Sequence, residues 1–297
     1  MNILVTLNSN YIKQLIIMIY SILKSNPDVN FNVYIAHKEL TEDDFSYIGG
    51  YLDKKRCKVI SVKVTDEMFK NAPVTKRYPR EMYFRIFAAQ FLPKDLDRIL
   101  YLDPDLVVIN PLNELYYMNF EDNYYIAASH VNKGMQKLNE IRLDMEKDAY
   151  YINSGVMLMN LKLLREKQDI DSALEYIEKN KNRLLLPDQD VLSGLYGGKT
   201  KVVDSIIYNL SERYLKLYNM NFKNLDKRID LDWVRQNTVI IHYCGRNKPW
   251  KDNYIGELDI FYKKYAQMVA EIEGSTNENT LKNIEVYKRN SKKNQRL

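Results

Sequence analysis

The sequence predicts an α/β fold in which a largely parallel sheet is covered by helices. Three observations predict it. Short buried strands alternate with helical segments through the first third of the chain, an apolar run delivers two carboxylates into a turn near residue 103, and a further strand–helix series follows that turn. Asn2 to Leu7 is an apolar strand, Asn8-Ser9-Asn10 a turn, and Tyr11 to Ser25 a helix. Phe31 to Ala36 is the second strand. Thr41 with Asp44 three residues on has the form of a capping box, and Gly49-Gly50 ends or weakens the helix it opens. Lys58 to Lys63 is the third strand. A helix is expected over Glu81 to Phe91, then strands at Arg98 to Leu102, Ile126 to Ser129 and Gly155 to Leu161. Pro187 sits at the first position of a helix running to Tyr196. Val239 to His242 is a late strand, and Glu257 to Glu273 an amphipathic helix.

Composition narrows the classes. Hydrophobic residues make up 45% and charged residues 28% of 297, enough for a large buried core and unlike a disordered chain. A net charge of +5 suits phosphates or an acidic membrane surface and is too small to indicate nucleic acid. Cys57 and Cys244, far apart, form neither a disulfide framework nor a thiolate metal site, in keeping with a reducing compartment. The apolar stretch Leu15 to Leu23 is roughly half of the ~20 residues a bilayer requires. It is expected as a buried helix and not an export signal, which points to the cytoplasm. After Gly274 the chain turns polar, with Lys282, Lys288, Arg289, Lys292, Lys293 and Arg296. That tail is expected either as a solvated extension or as a basic arm touching anionic lipid, which would make the protein peripheral at the membrane's inner face.

The central chemical signal is Leu102-Asp103-Pro104-Asp105-Leu106. Ligands of open α/β sheets bind outside the carboxyl ends of strands, and carboxylates at i and i+2 can share one hard divalent cation. Such a cation would neutralise a leaving diphosphate. Two other readings fit the same residues. One is a plain surface turn. The other is a phosphatase of the haloacid-dehalogenase type, with Asp103 as nucleophile, which places its acidic pair nearer the start of the domain.

Further segments separate these readings: Asn8-Ser9-Asn10-Tyr11, Tyr83-Phe84-Arg85, Tyr151-Ile152-Asn153-Ser154-Gly155-Val156, Leu186-Pro187-Asp188-Gln189-Asp190, and His242-Tyr243-Cys244-Gly245-Arg246-Asn247-Lys248-Pro249-Trp250. In this order and spacing, from Met1 to Tyr254, they resemble family-8 retaining glycosyltransferases. That group includes bacterial lipopolysaccharide galactosyl- and glucosyltransferases and glycogenin. The resemblance implies a Rossmann-like GT-A fold with one catalytic domain over 1–256, followed by the helix and basic tail of 257–297. It implies transfer of galactose or glucose from a UDP-sugar to a glycan or glycolipid. It also implies Mn²⁺, with Mg²⁺ as the substitute, held by Asp103, Asp105 and His242. Thr6, Asn8, Asn10 and Tyr11 would meet the nucleoside, with Asn8 standing where many relatives have Asp. Pro104, Gly245 and Lys248 would lie at the diphosphate, and Arg85, Asn153, Asp188 and Gln189 at the donor sugar. Gln189 would sit beneath the anomeric carbon, and Asp190 is the nearest carboxylate that could replace it as a nucleophile. A sugar-nucleotide-binding protein without turnover would break this set, and here the set is whole. Each residue also has an ordinary structural use: a core position for His242, packing for Trp250 and Tyr11, a surface position for Arg85, a turn for Asn153 and a helix cap for Asp188. Acceptor contacts are expected between Ser129 and Tyr151 and around Tyr208 to Phe222.

Overall fold

The computed structural model describes residues 1–65 and 81–274. Among the described residues nine strands form two sheets. The larger contains β1 (Asn2–Thr6), β2 (Phe31–His37), β3 (Cys57–Lys63), β4 (Arg98–Leu102), β6 (Tyr125–Ala128), β7 (Val156–Asn160) and β8 (Thr200–Val203) in the order β3-β2-β1-β4-β7-β6-β8. The smaller pairs β5 (Leu106–Val108) with β9 (Ile240–His242), antiparallel. Within the large sheet β7 runs against both neighbours and the other pairings are parallel, so the sheet is mixed and mostly parallel. Strand order reverses between β1 and β4, and at such a switch point the loops leaving the two strands diverge and open a crevice.

Both faces of the sheet are covered, and the period-two alternation of each strand divides the core in two. Ile3, Val5, Val33, Ile35, Leu100, Leu102 and Leu158 point into one cluster. Leu4, Tyr34, Ala36, Ile99, Tyr101, Met157 and Met159 point into the other. The helix Ile12–Ser25 fills the first cluster with Leu15, Ile16, Ile19 and Ile22. Its two serines do a separate job. Ser21 accepts from the Val108 N–H at 2.9 Å and Ser25 donates to the Val108 carbonyl at 3.0 Å, so the open edge of β5 is satisfied by side chains. This pins the strand that begins one residue after Asp105.

The helix spanning 259–274 packs into the first cluster as well, through Phe261, Tyr262, Tyr265 and Val269, with Leu258 just before it. The basic tail beyond Gly274 lies outside the described residues. No helix among the described residues is long and apolar enough to cross a membrane, and the apolar stretch from Leu15 is a buried helix.

Local expectations hold where side-chain chemistry is explicit. Thr41 and Asp44 form the reciprocal capping box, and the helix closes at Gly50. The helix expected over Glu81 to Phe91 is instead two pieces, Glu81–Ile86 and Ala88–Phe91, because Phe87 leaves helical geometry at φ −108°, ψ 26°. Phe84 and Phe87, on either side of the break, both pack in the second cluster. β5 and β8 were not anticipated.

The helices Lys133–Leu143 and Pro187–Tyr196 are joined by a buried ion pair. Both terminal nitrogens of Arg142 donate to Asp190, at 2.7 and 2.8 Å, and Asp190 is 0% exposed. Tyr151 Oη donates to the same carboxylate at 2.6 Å, as do the backbone N–H groups of Leu185 and Leu186. Removing one partner of such a pair leaves an uncompensated buried charge. Arg142→Met should lower stability by about 3 kcal/mol, the low end for a broken buried pair because three donors remain. Urea denaturation checks it; the double variant Arg142→Met/Asp190→Leu should lose less than the two single variants added together.

Candidate active site

The site forms where four strand ends meet. β1 ends at Thr6, β4 at Leu102 and β9 at His242, while β7 begins at Val156, beside the end of β4 because it runs antiparallel. Asp103 follows β4, and its N–H donates to the Gly155 carbonyl at 2.8 Å. Asp105 precedes β5. Its carbonyl accepts from the Tyr243 N–H at 3.0 Å, and the Leu106–His242 register places His242 opposite. Backbone pairing alone therefore brings residues 103, 105 and 242 together.

One ligand atom each from Asp103, Asp105 and His242 lie within 4.8 Å of one another. His242 Nε2 is 3.2 Å from Asp105 Oδ1 and 3.8 Å from Asp103 Oδ2. Asp105 Oδ1 is buried and has no hydrogen-bond partner among the described residues. A buried carboxylate oxygen left this way is costly unless a positive group meets it. Two carboxylates and an imidazole suit a divalent cation such as Mn²⁺ or Mg²⁺, with Mn²⁺ the more tolerant of nitrogen.

The carboxylates are held from outside. Tyr101 Oη donates to Asp103 Oδ1 at 2.6 Å and is itself 2.9 Å from Thr6 Oγ1, which ties β1 to β4 at the switch point. Arg85 lies between Asp103, at 3.1 Å, and Asp188, at 2.8 Å, with its guanidinium over the Tyr101 ring. Burial works against its charge, but Asp103, Tyr101 and Asp188 outweigh burial and raise its pKa further. Burial likewise pushes Asp105 up, yet His242, when its ring is protonated, and Lys248 hold it well below the usual carboxylate range. Lys248 Nζ donates to Asp105 Oδ2 and, at 2.8 Å, to the Tyr243 carbonyl.

Asn153, Asp188 and Gln189, singled out in the sequence, each make a side-chain hydrogen bond nearby. Ser154 Oγ donates to Asp188 Oδ2 at 3.0 Å, and Asn153 Nδ2 to Gln189 Oε1 at 3.3 Å. Asn8 Oδ1 accepts from the Asn10 N–H at 3.1 Å in the turn after β1, leaving a second lone pair open. Tyr11 meets Trp250 edge-on at 6.4 Å, and Trp250 leans on Tyr262 at 5.4 Å, so Trp250 packs between two rings. Gly245 takes φ +81° with open space where a side chain would be.

Asp190 requires a correction. The sequence offers it as a spare carboxylate beneath the sugar, but it is fully buried and saturated by Arg142, Tyr151 and two backbone N–H groups. It anchors the helix that presents Asp188 and Gln189. Sequence reasoning also missed Gly155, Tyr101 and Asn209. Tyr101 had a signal, since strand alternation puts it on the same face as Ile99. Asn209, 0% exposed, lies 2.9 Å from His242 Nδ1 and had none. In the expected acceptor region, Tyr214 turns inward to stack on His130. Burial pushes His130 down to about 4, against a hydrogen bond to the Asn209 carbonyl that raises it.

The crevice at the switch point thus carries the Asp-x-Asp pair and His242 as one cluster. The sequence model of glycosyl transferase family 8 matches residues 2–254, and the chain belongs to that family. Over 253 residues it is 27% identical to the lipopolysaccharide 1,2-glucosyltransferase of Escherichia coli K12, covering 84% of this chain and 72% of that one. It is 24% identical over 254 residues to the lipopolysaccharide 1,3-galactosyltransferase of Salmonella typhimurium LT2, covering 84% and 72%. The fold superposes on the galactosyltransferase LgtC, solved in complex with donor and acceptor sugar analogs, with a TM-score of 0.74 and 24% identity over 90% of this chain and 96% of that one.

Gly155 yields a test of the site's packing. A Cβ there would lie 2.2 Å from His242 Cε1 and 2.8 Å from Asp103 Oδ2. Gly155→Ala should cost about 1–3 kcal/mol by overpacking. In urea denaturation, Gly155→Ala/His242→Ala should recover most of that loss relative to His242→Ala alone.

Proposed function

We propose that this enzyme transfers a hexose, galactose or glucose, from a UDP-sugar to a glycan or glycolipid acceptor with retention of the anomeric configuration. Asp103, Asp105 and His242 hold Mn²⁺, or Mg²⁺ in its place. The observation that carries the reading is the buried Asp105 Oδ1, unpartnered beside His242 Nε2 in a cluster of three convergent ligand atoms. The names of the similar lipopolysaccharide glucosyl- and galactosyltransferases support the substrate class.

When bound, the cation neutralises the diphosphate leaving group. The chain's own groups do the rest. Lys248 adds a positive charge at the diphosphate, and Gly245 lets backbone come close to it. Thr6, Asn8, Asn10 and Tyr11 form the nucleoside end, at the finish of β1. Arg85 fixes Asp188 for the sugar hydroxyls while steadying Asp103. Gln189, an amide, stabilises positive charge at the anomeric carbon and is a poor nucleophile. With Asp190 locked to Arg142, this favours front-face attack, in which the departing phosphate takes the acceptor proton.

UDP release measured across nucleotide-sugars should be largest with UDP-galactose or UDP-glucose, and absent in excess chelator. Asp103→Ala should abolish it with the fold intact by circular dichroism; undiminished turnover in chelator overturns the metal set. Gln189→Ala should slow transfer on the order of a hundredfold while the UDP dissociation constant stays near wild type, because the contact strengthens only as charge develops. Calorimetry beside steady-state rates separates the two. A wild-type rate removes Gln189 from the mechanism.

A further inference from the structure

We infer that Asn209 is a positioning residue that fixes which nitrogen of His242 is free to bind a cation, and that links the cation site to Gln189. The inference rests on the ligand set proposed above.

The argument starts from a donor whose direction is not in question. The backbone N–H of Gly155 donates to Asn153 Oδ1 at 3.1 Å, so that atom of Asn153 is the oxygen and its other terminus is the NH₂. Asn209 reaches the same oxygen at 3.0 Å and must do so with its own NH₂. The Asn209 oxygen then faces His242 Nδ1 at 2.9 Å. An amide oxygen only accepts, so Nδ1 carries a proton, and in the neutral ring that metal ligation requires, Nε2 keeps its lone pair. That lone pair lies 3.2 Å from Asp105 Oδ1, and two lone pairs facing each other call for a cation between them. In the other direction, the NH₂ of Asn153 donates to Gln189 Oε1 at 3.3 Å.

The Asn209 side chain is thus held from both sides, and its backbone is held too. Its carbonyl accepts from His130 Nε2 at 2.6 Å, and its N–H donates to the Ser205 carbonyl at 3.1 Å. It is 0% exposed, so water cannot replace either side-chain bond. A leucine has similar size and neither hydrogen bond. An aspartate keeps the acceptor toward His242 Nδ1 but turns a second acceptor onto Asn153 Oδ1.

The two variants therefore separate the two halves of the role. Mn²⁺ titration followed by electron paramagnetic resonance, without nucleotide, should show Asn209→Leu binding about 10–100-fold more weakly than wild type. Asn209→Asp should bind within a few-fold of wild type. Its transfer rate at saturating Mn²⁺ should nonetheless fall about tenfold or more, because Asn153 and Gln189 lose their alignment. Thermal melts accompany both. A merely structural role predicts instead that Mn²⁺ affinity and rate fall together in both variants, or in neither. Unchanged Mn²⁺ affinity in Asn209→Leu overturns the inference while the proposed function stands. If Asn209→Leu does not fold, Asn209→Asp decides: weak Mn²⁺ binding or a wild-type rate overturns it. Wild-type protein that binds no Mn²⁺ overturns both this inference and the proposed ligand set.

Discussion

A mostly buried carboxylate, Asp105, sets the terms for the structure around it. Taking such a group out of water costs several kcal/mol unless opposite charge and hydrogen bonds meet it. Here Lys248 supplies opposite charge to one oxygen, and His242, at the end of β9 in the same stretch of chain, faces the other. β9 can deliver them only because it pairs with β5, and β5 is held on its other edge by Ser21 and Ser25 of the first helix. The small two-stranded sheet looks minor in the fold, yet it is the device that brings residues 105 and 242 within reach across a long separation in sequence.

The second carboxylate is held by different elements. Asp103 depends on Tyr101 and Arg85, and Arg85 depends in turn on Asp188 at the start of the helix Pro187–Tyr196. That helix start is braced by Asp190 and Arg142. A chain of charge-assisted contacts therefore runs from the crevice to the helix Lys133–Leu143. Each member is at least partly buried, where hydrogen bonds to charge are stronger and less screened than at the surface. The glycine at 155 is the steric counterpart: it keeps open the space that Asp103 and His242 share.

Much of this was legible in the sequence, and the parts that were not share physical causes. β1, β2, β4 and β7 stand out as largely apolar runs of five to seven residues, and β3 as an alternating one. β5 follows directly on the Asp-x-Asp turn as part of one apolar run, and β8 contains a lysine and is only partly buried, so neither stands out as a separate strand. The break at Phe87 was hidden because the residues from Glu81 to Phe91 include no Gly or Pro to mark it. Asp103, Asp105 and His242 were legible as residue types next to strand ends. Asp190 was misread because its neighbours Asp188 and Gln189 face the crevice, while the next position in a helix turns about 100° away, toward Arg142. Asn209 sits in a connection between short helices, where a buried amide leaves no trace in composition or spacing.

What joins the two halves of the site is a row of neutral amides that starts at the imidazole of His242. From His242 the hydrogen bonds pass through Asn209 and Asn153 to Gln189. Asn and Gln suit this place because each both donates and accepts, so a polarity imposed at one point is carried along the row. The Gly155 N–H imposes it, from the first residue before β7. Replacing an amide by a carboxylate would keep the shape and reverse a donor, which puts two acceptors in contact in a buried setting. The orientation of the imidazole and that of Gln189 are in this sense one choice, made by a backbone N–H at a strand end.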